Sequence, residues 1–357
     1  MSARSGGTPW LAALAGLIGL TGGLVGGLAG GLAGGVMSTM AQADDRPGTA
    51  AGSDACHRLF DPVLARQDAQ GVAERLQGAE AARVCEWNQR EFARLQATRW
   101  IAADADEQAT AGRIERAQAL LDGEGATSLR LAAWWRVNAV LGEIASVRHD
   151  WHEAAVQFGE GYRLAVDQLS PPDGLPPPHV EDLQRALFDR ASEAMLLSGD
   201  LSSAIARSGA GTGILVSRGP KPHAVPLPVQ FEFDRADLAP QGQEAATRLA
   251  AFVRKRALPT LEIIGHTDPK GEADYNRDLS QRRASTVARS IEAAFRAAGQ
   301  APPTITTRGR GEDCPAVLSD PARYTEPQRH ALYRRVEIVL DPSASASRVV
   351  CGQSVGR

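Results

Sequence analysis

The sequence has almost no excess of either charge. Its 39 Lys and Arg residues against 42 Asp and Glu residues leave a net charge of −3 over 357 residues. Proteins that bind nucleic acid have basic patches or a basic excess, because neutralising phosphates supplies much of their affinity. The near balance therefore argues against nucleic acid as a partner.

Cysteine is scarce, with four residues in the whole chain. No two of them have the short spacing of a zinc or redox motif, so the sequence predicts neither a metal nor a cofactor. In an oxidising compartment, the simplest of the three possible pairings would join the two early cysteines to each other and the two late ones to each other. The candidates are Cys56, Cys85, Cys314 and Cys351. Free buried thiols are the alternative.

Recognisable catalytic patterns are also missing. The sequence shows no nucleophile with its base, no paired carboxylates and no zinc ligand set. His266 and Asp268 are two positions apart, but no other His or Cys has motif spacing with them. A binding protein is therefore expected rather than an enzyme.

The first 43 residues contain a long apolar run. A glycine-rich apolar stretch extends from Trp10 to about Val36, and Ala41-Gln42-Ala43 follows it. This order is typical of a secretory signal peptide, here residues 1–43, with a small-residue cleavage site. The run is also close to the ~20 residues that span a bilayer, so an uncleaved membrane anchor stays open. Either interpretation predicts that the rest of the chain is exported.

Residues 54–207 have the apolar periodicity of helices. Small and large residues in Leu141-Gly142, Ala145, His149-Asp150-Trp151, Ala154 and Phe158 are spaced as in a tetratricopeptide repeat. A weaker copy runs through Ala191, Met195, Gly199-Asp200 and Ala204. The sequence therefore predicts a helical domain that resembles such repeats. An irregular helical bundle is the alternative. Five tryptophans lie in this half, either in its core or along a groove for a protein partner.

A Gly- and Pro-rich stretch at residues 208–228 is interpreted as a linker. In the following part, residues 229–341, short β-rich segments begin at Val229, Leu261 and Val336, and amphipathic helices are predicted between them. Strands that alternate with helices predict an α/β sandwich, a mixed sheet with helices on one face. The fold class is thus multidomain, an all-α domain followed by an α/β domain and a tail at 342–357.

The second domain resembles the OmpA-like C-terminal domain, with a βαβαβ-type fold. The residues that carry the resemblance are spread over the domain: Phe231-Glu232-Phe233-Asp234, Gly265-His266-Thr267-Asp268, Gly271, Tyr275-Asn276, Leu279-Ser280, Arg283-Ala284, Val287, Gly309, Gly311 and Arg334-Arg335-Val336-Glu337-Ile338. Together they cover about a third of the chain.

This resemblance implies non-covalent binding of the peptidoglycan stem peptide through its diaminopimelate residue. Asp268 would accept hydrogen bonds from the ligand ammonium, and Arg283 would hold a carboxylate with its planar fork of donors. Asn276 would add amide contacts, while Asp234 and Thr267 would complete the pocket or cap local turns. Each of these residues also has a purely structural interpretation, such as a surface ion pair for Asp268 and Arg283.

The expected protein is therefore a peptidoglycan-associated component of a Gram-negative periplasm. Its α/β domain would anchor a helical domain that binds another protein, and the N-terminal segment could tether it to a membrane. An envelope scaffold in which wall binding is only positional is an alternative, and a peptidoglycan hydrolase is a more distant one.

Overall fold

The structure, a computed structural model, describes residues 49–170, 177–199, 224–232, 234–340 and Cys351. The predicted leader at 1–43 lies outside the described residues, as do most of the predicted linker and tail. The chain divides into two compact units, one up to Val140 and one from Leu141 onward. No helix among the described residues is long and apolar enough to cross a membrane.

The described part of the first unit is helical. It contains α1 Thr49–Leu64, α2 Ala69–Gln77, α3 Ala79–Val84, α4 Trp87–Thr110, α5 Ile114–Leu121, α6 Ala126–Leu129 and the beginning of α7 Trp135–Val147. Helix α7 continues into the second unit after Val140. The long helix α4 packs against α2 and α5. Its buried face carries alanines such as Ala93, Ala97 and Ala102, and small side chains of this kind let helix axes approach closely.

A disulfide between Cys56 and Cys85 joins α1 to the residue that ends α3. This is one of the two predicted pairs, and it is confirmed. Of the tryptophans in this unit, Trp135 is buried and Trp87 is mostly exposed. The predicted core location therefore holds for Trp135 and does not hold for Trp87.

The second unit begins with a helical hairpin. Helix α7 ends at Val147, and α8 Trp151–Leu169 follows a turn in which His149 has φ +58° and Asp150 accepts a hydrogen bond from the Glu153 amide. A Cβ added at Gly142 would lie 2.8 Å from the Phe158 ring, so the close approach requires glycine there. The predicted hairpin is confirmed, while its membership of the tetratricopeptide class stays a prediction. Helix α9 Pro178–Ser198 packs along α8.

The α/β part of this unit has a four-stranded mixed sheet. Its elements are β1 Ala224–Leu227, α10 Pro240–Lys255, β2 Thr260–Gly265, α11 Ala273–Ala297, β3 Thr304–Gly309, α12 Glu326–Tyr333 and β4 Val336–Val339. The strand order is β1-β4-β2-β3, with β2 parallel to β3 and β4 antiparallel to both β1 and β2. This is the predicted α/β class with a mixed sheet.

Helix α11 packs on β2 and β3, and α10 packs beside α11. The predicted apolar face of α11 is confirmed, because Val287 and Ile291 are fully buried whereas Arg282, Arg289 and Arg296 are exposed. Glycines at two strand ends make the packing possible. A Cβ at Gly265 would lie 2.2 Å from the Ser280 carbonyl oxygen, and one at Gly309 would lie 2.5 Å from the Gln281 nitrogen.

The first strand is not where the sequence predicted it. The predicted strand beginning at Val229 is wrong, and β1 lies at 224–227, inside the predicted linker. The alternation of Val229 and Phe231 belongs to a turn, in which Glu232 N donates to Asp237 O and Phe231 forms one isolated bridge to Leu238. Pro226 is tolerated in β1 because this is an edge strand.

A second disulfide joins Cys314 to Cys351 and confirms the other predicted pair. It ties the described residue of the C-terminal tail to the segment between β3 and α12. The predicted domain boundary at 208–228 stays a prediction, but by packing the helices from Leu141 onward belong to the same compact unit as the α/β part.

Candidate functional site

The candidate site is built on the loop that follows β2. Strands β3 and β4 flank β2 in the sheet, and the segments next to them hold this loop. His266 N donates to Arg335 O at 3.0 Å, and Thr267 N donates to Gly311 O at 2.9 Å. These bonds satisfy the backbone of the loop where the sheet ladder ends. Asp268 therefore follows a firmly held piece of backbone.

The Asp268 carboxylate is held from two sides. Its Oδ1 accepts from Lys270 N at 3.0 Å, and its Oδ2 accepts from Arg334 Nη1 at 2.5 Å. Asp268 is only 8% exposed, whereas the Arg334 side chain is 46% exposed. A carboxylate has about four acceptor positions, and these two bonds use two of them.

Asn276 braces the same loop. Its Nδ2 donates to Lys270 O at 3.0 Å, to Glu312 Oε2 at 2.7 Å and, more weakly, to Asp268 O at 3.3 Å. The side chain is buried in the first turn of α11. Its amide nitrogen is thus occupied in shaping the loop, and the ligand contact predicted for Asn276 stays a prediction.

The Arg283 guanidinium projects from α11 with part of its donor fork unused. Its Nε donates to Arg235 O at 3.0 Å, and its Cζ lies 5.0 Å from the centre of the Phe231 ring. Neither Nη1 nor Nη2 donates to any described residue. Burial, and then the positive Arg334, lower the pKa of Arg283, while Asp234 and Asp268 act in the opposite direction. An anion placed at this fork would relieve the crowding of positive charge.

Asp234 lies on the turn between β1 and α10, in the left-handed region at φ +56°. Its Oδ1 accepts from the Tyr275 hydroxyl at 2.9 Å, which joins this turn to the first turn of α11. That hydrogen bond, more than burial or the charge of Asp234, raises the pKa of Tyr275. Asp234 and Asp268 both favour the charged form of Arg283, so the two acids lie within electrostatic range of its guanidinium.

Thr267 is the least accessible of the predicted site residues. It is 4% exposed, and its Oγ1 is buried without a hydrogen-bond partner among the described residues. A buried hydroxyl without a partner is unusual and costs free energy. Its predicted role in the pocket stays a prediction.

Sequence reasoning missed the part played by Arg334. The residue was recognised in the closing motif, but nothing in the order of residues pairs it with Asp268, 66 positions earlier. Glu312, which accepts from Asn276, was missed for the same reason. Both lie in segments that come next to the β2 loop only because β3 and β4 flank β2.

A buried charged group lies behind the loop. Arg335 Nε donates to Glu337 Oε1 at 2.7 Å, and His266 Nε2 lies 3.3 Å from Glu337 Oε2. Arg335 Nη2 also donates to Cys314 O at 3.3 Å. From the sequence, Arg335 could either support the site or brace the sheet, and these contacts are those of a brace between β4 and the Cys314 segment.

Acid is expected to weaken this brace. Burial alone would raise the pKa of Glu337, but Arg335 and His266 hold it well below the ordinary 4.5, at about 2. Because the folded-state pKa is depressed, the stabilisation is complete above the unfolded-state pKa and is lost as the pH falls from about 5 to about 2. The loss is on the order of 3 kcal/mol. Stability measured against pH should therefore fall more steeply for the wild type than for Glu337→Gln, and equal slopes would contradict the assignment.

No cluster of three or more His, Cys, Asp or Glu side chains able to hold a metal occurs within the described ranges. The site instead combines a fixed carboxylate with a guanidinium whose fork faces no protein acceptor there. Such a pair can bind a molecule that carries both an amine and a carboxylate.

Comparison with known proteins shows which family the second part of the chain resembles. Residues 230–327 match the model of the OmpA family. The chain is 38% identical over 120 residues to outer membrane porin F of Pseudomonas fluorescens, 31% over 136 residues to outer membrane protein A of Bordetella avium, and 33% over 105 residues to the peptidoglycan-associated lipoprotein of Pasteurella multocida. These matches cover 34%, 36% and 29% of this chain and span 34%, 66% and 67% of the respective relatives.

Among solved structures, the peptidoglycan-associated lipoprotein from Burkholderia pseudomallei is 25% identical to this chain, with a TM-score of 0.26. The match covers 31% of this chain and 86% of that protein's chain. The cell wall anchor of the T6SS from Pseudomonas aeruginosa is 29% identical, covers 30% of this chain and 71% of its own, and has a TM-score of 0.24. The match to the Pasteurella multocida relative has 33% identity and spans 67% of that protein. The chain therefore belongs to the OmpA family, through the domain that carries Asp268 and Arg283.

Proposed function

We propose that the OmpA-like domain binds the diaminopimelate residue of a peptidoglycan stem peptide and so anchors the chain to the cell wall. The observation that carries the proposal is the pairing of a fixed acid with an unused guanidinium fork. Asp268 uses two of its roughly four acceptor positions within the protein, and the two Nη groups of Arg283 have no acceptor among the described residues. The end of diaminopimelate that branches from the peptide carries one ammonium and one carboxylate, which this pair complements.

The proposed pose places the ligand carboxylate on the Arg283 fork and the ligand ammonium on Asp268. The Phe231 ring and the Arg235 carbonyl hold the guanidinium plane, so little side-chain freedom is lost when the carboxylate binds. Arg334 already donates to Asp268, so the ammonium would share that carboxylate with it. A side chain with a single charge would satisfy one half of the site, and a neutral one neither half.

The relatives support a binding role. They include proteins named as outer membrane proteins and a peptidoglycan-associated lipoprotein, from Gram-negative organisms. The two disulfides suit an exported protein, because such bonds persist in the oxidising periplasm. We therefore propose a periplasmic, wall-associated binder rather than an enzyme. The protein partner of the helical region and the membrane tether stay predictions.

The test is calorimetry with a soluble stem peptide that contains diaminopimelate. Asp268→Asn and Arg283→Met should each weaken binding by about 10- to 100-fold, the usual cost of a lost hydrogen bond to a charged group. Arg282→Met is the matched control, because Arg282 is the neighbouring arginine on α11, is exposed and forms an ion pair with Asp278 across one helical turn. It should change affinity less than twofold.

A second peptide, with lysine in place of diaminopimelate, separates the two halves of the site. It lacks the side-chain carboxylate, so the wild type should prefer the diaminopimelate peptide and Arg283→Met should lose that preference. The proposal would be wrong if both site variants bound the diaminopimelate peptide as tightly as Arg282→Met.

A further inference from the structure

A buried ionic network lies between the helical hairpin and the α/β part of the second unit. At its centre is Arg190 of α9, which is 1% exposed. Its Nη2 donates to Glu143 Oε1 at 2.9 Å, and its Nη1 donates to the Tyr324 hydroxyl at 2.9 Å. Glu143 lies on α7, whereas Tyr324 comes immediately before the N-cap of α12. One guanidinium thus joins two helices of the hairpin region to the α/β part.

Glu193, one turn after Arg190, completes the connection. Its Oε2 accepts from the Tyr324 hydroxyl at 2.7 Å, and its two oxygens accept from the amide and the hydroxyl of Ser319 at 2.5 and 2.6 Å. Arg323 donates in turn to Glu143. The network therefore contains two acids and two arginines, so its charges balance.

The tyrosine of this network is held as a neutral hydroxyl. Burial, and next the Glu193 charge, raise the pKa of Tyr324 far above its ordinary value. Tyr324 can therefore donate to Glu193 while it accepts from Arg190, which fixes its orientation from both sides. Tyr324 belongs to a buried cluster with Leu318, Leu332 and Tyr333, against which Trp151, Leu196, Leu197 and Ala316 pack.

Helix α12 leads from this network to the candidate site. At its start, Arg329 Nη1 donates to Tyr324 O at 2.6 Å, and Thr325 and Gln328 form a capping box. At its end, Arg334 N donates to His330 O, and the Arg334 side chain donates to Asp268. Eight helical residues span only about 12 Å. A short, capped helix therefore connects Tyr324 to the arginine that holds the Asp268 carboxylate.

We propose that Tyr324 is a positioning residue, through which helices α7 and α9 set the placement of Arg334 and hence the affinity of the Asp268 site. This inference rests on the proposed ligand function. The network suits such a role, because the Tyr324 hydroxyl is oriented from both sides by Arg190 and Glu193. An event at the helical hairpin, such as binding of a partner, would then change how tightly the domain holds the wall.

The experiment is a double-mutant cycle on the full chain, measured by calorimetry with the diaminopimelate stem peptide. Tyr324→Phe removes only the hydroxyl and keeps the packed ring. Alone, it should weaken binding about 3- to 10-fold, within the range found for coupled sites. In an Arg334→Met background it should change affinity less than twofold, because the residue that transmits the effect is gone.

A matched control separates positioning from general loss of stability. Phe188 is fully buried in α9 and packs edge-on against Tyr162, but it is not part of the network. Phe188→Leu should lower the melting temperature and leave the affinity unchanged. If it weakened binding as much as Tyr324→Phe, the positioning role would be refuted.

The remaining outcomes are also decisive. If Tyr324→Phe binds like the wild type, or weakens binding equally in the Arg334→Met background, the coupling is refuted while the ligand assignment stands. If the wild type binds no stem peptide, the proposed function itself fails. Should Tyr324→Phe fold poorly, Glu193→Gln interrupts the same connection and is expected to give the same pattern.

Discussion

Arg190→Met is expected to lower the free energy of unfolding of the second unit by about 3–5 kcal/mol, the usual cost of removing one partner from a buried ion pair. The variant keeps much of the side-chain volume but leaves Glu143 and Glu193 buried without their shared cation. Burial alone would lower the pKa of Arg190, yet the two glutamates raise it overall, so the arginine stays charged in the fold. Hydrogen exchange in increasing denaturant measures this loss in α9 and β4 separately.

Two further variants show whether the cost comes from the uncompensated acids. Arg163→Met, which removes an arginine paired with Glu160 and Asp167 at the surface of α8, should cost less than about 1 kcal/mol. Replacing the acids together with the arginine, as Glu143→Leu, Glu193→Leu and Arg190→Met, should recover part of the loss. A cost for Arg190→Met as small as that for Arg163→Met would contradict the network.

Removing the disulfide between Cys314 and Cys351 is the second change with a large expected effect. The two cysteines are 37 positions apart in the sequence, and the bond closes the loop between them. By the chain-entropy model, its loss in Cys314→Ala/Cys351→Ala should destabilise the second unit by about 4 kcal/mol at 25 °C. The effect should reach β4, because Arg335, which braces Glu337, also donates to the Cys314 carbonyl.

The measurement is again hydrogen exchange, with and without reductant for the wild type and without it for the variant. Protection of β4 should fall in the double variant and in the reduced wild type to a similar extent. Cys56→Ala/Cys85→Ala is the control, because that bond lies within the first unit and should reduce protection of α1 and α3 instead. Unchanged protection of β4 in the double variant would show that the Cys314 segment holds its place without the bond.

Most elements of the α/β part could be predicted because their periodicity is local. The apolar residues of α11 recur every four positions, and those of β2 are flanked by residues typical of turns, so each pattern is visible in one short stretch. The exceptions are the two edge strands. Strand β3 contains one aliphatic residue, Ile305, and is only half covered, and β1 contains Pro226, which had suggested a linker. Strand β3 buries little surface and so carries a weak signal, whereas β1 buries Val225 and Leu227 but is disguised by Pro226 between them.

The candidate site could be predicted in part. Asp268 and Arg283 were identified through the resemblance, and the structure brings them close enough for one to influence the pKa of the other. The roles of the surrounding residues were not accessible in the same way. Asn276 turned out to brace the loop with its amide nitrogen, and Arg334 to hold Asp268, because such pairings depend on which segments flank β2.

By itself, the sequence determined the classes of the two parts, most helices and inner strands, and the family that the α/β domain resembles, while the pairing of the cysteines was the simplest of three possibilities until the structure showed both bonds. The classes, the elements and the family follow from spacing within short stretches or from the order of motifs. Only the tertiary structure decided which charges meet. Arg190 reaches Glu143 across 47 positions and Tyr324 across 134, and Arg334 reaches Asp268 across 66. Any of the chain's arginines could pair with any of its acids until packing excludes water from a few of them, and that selection is a property of the folded chain alone.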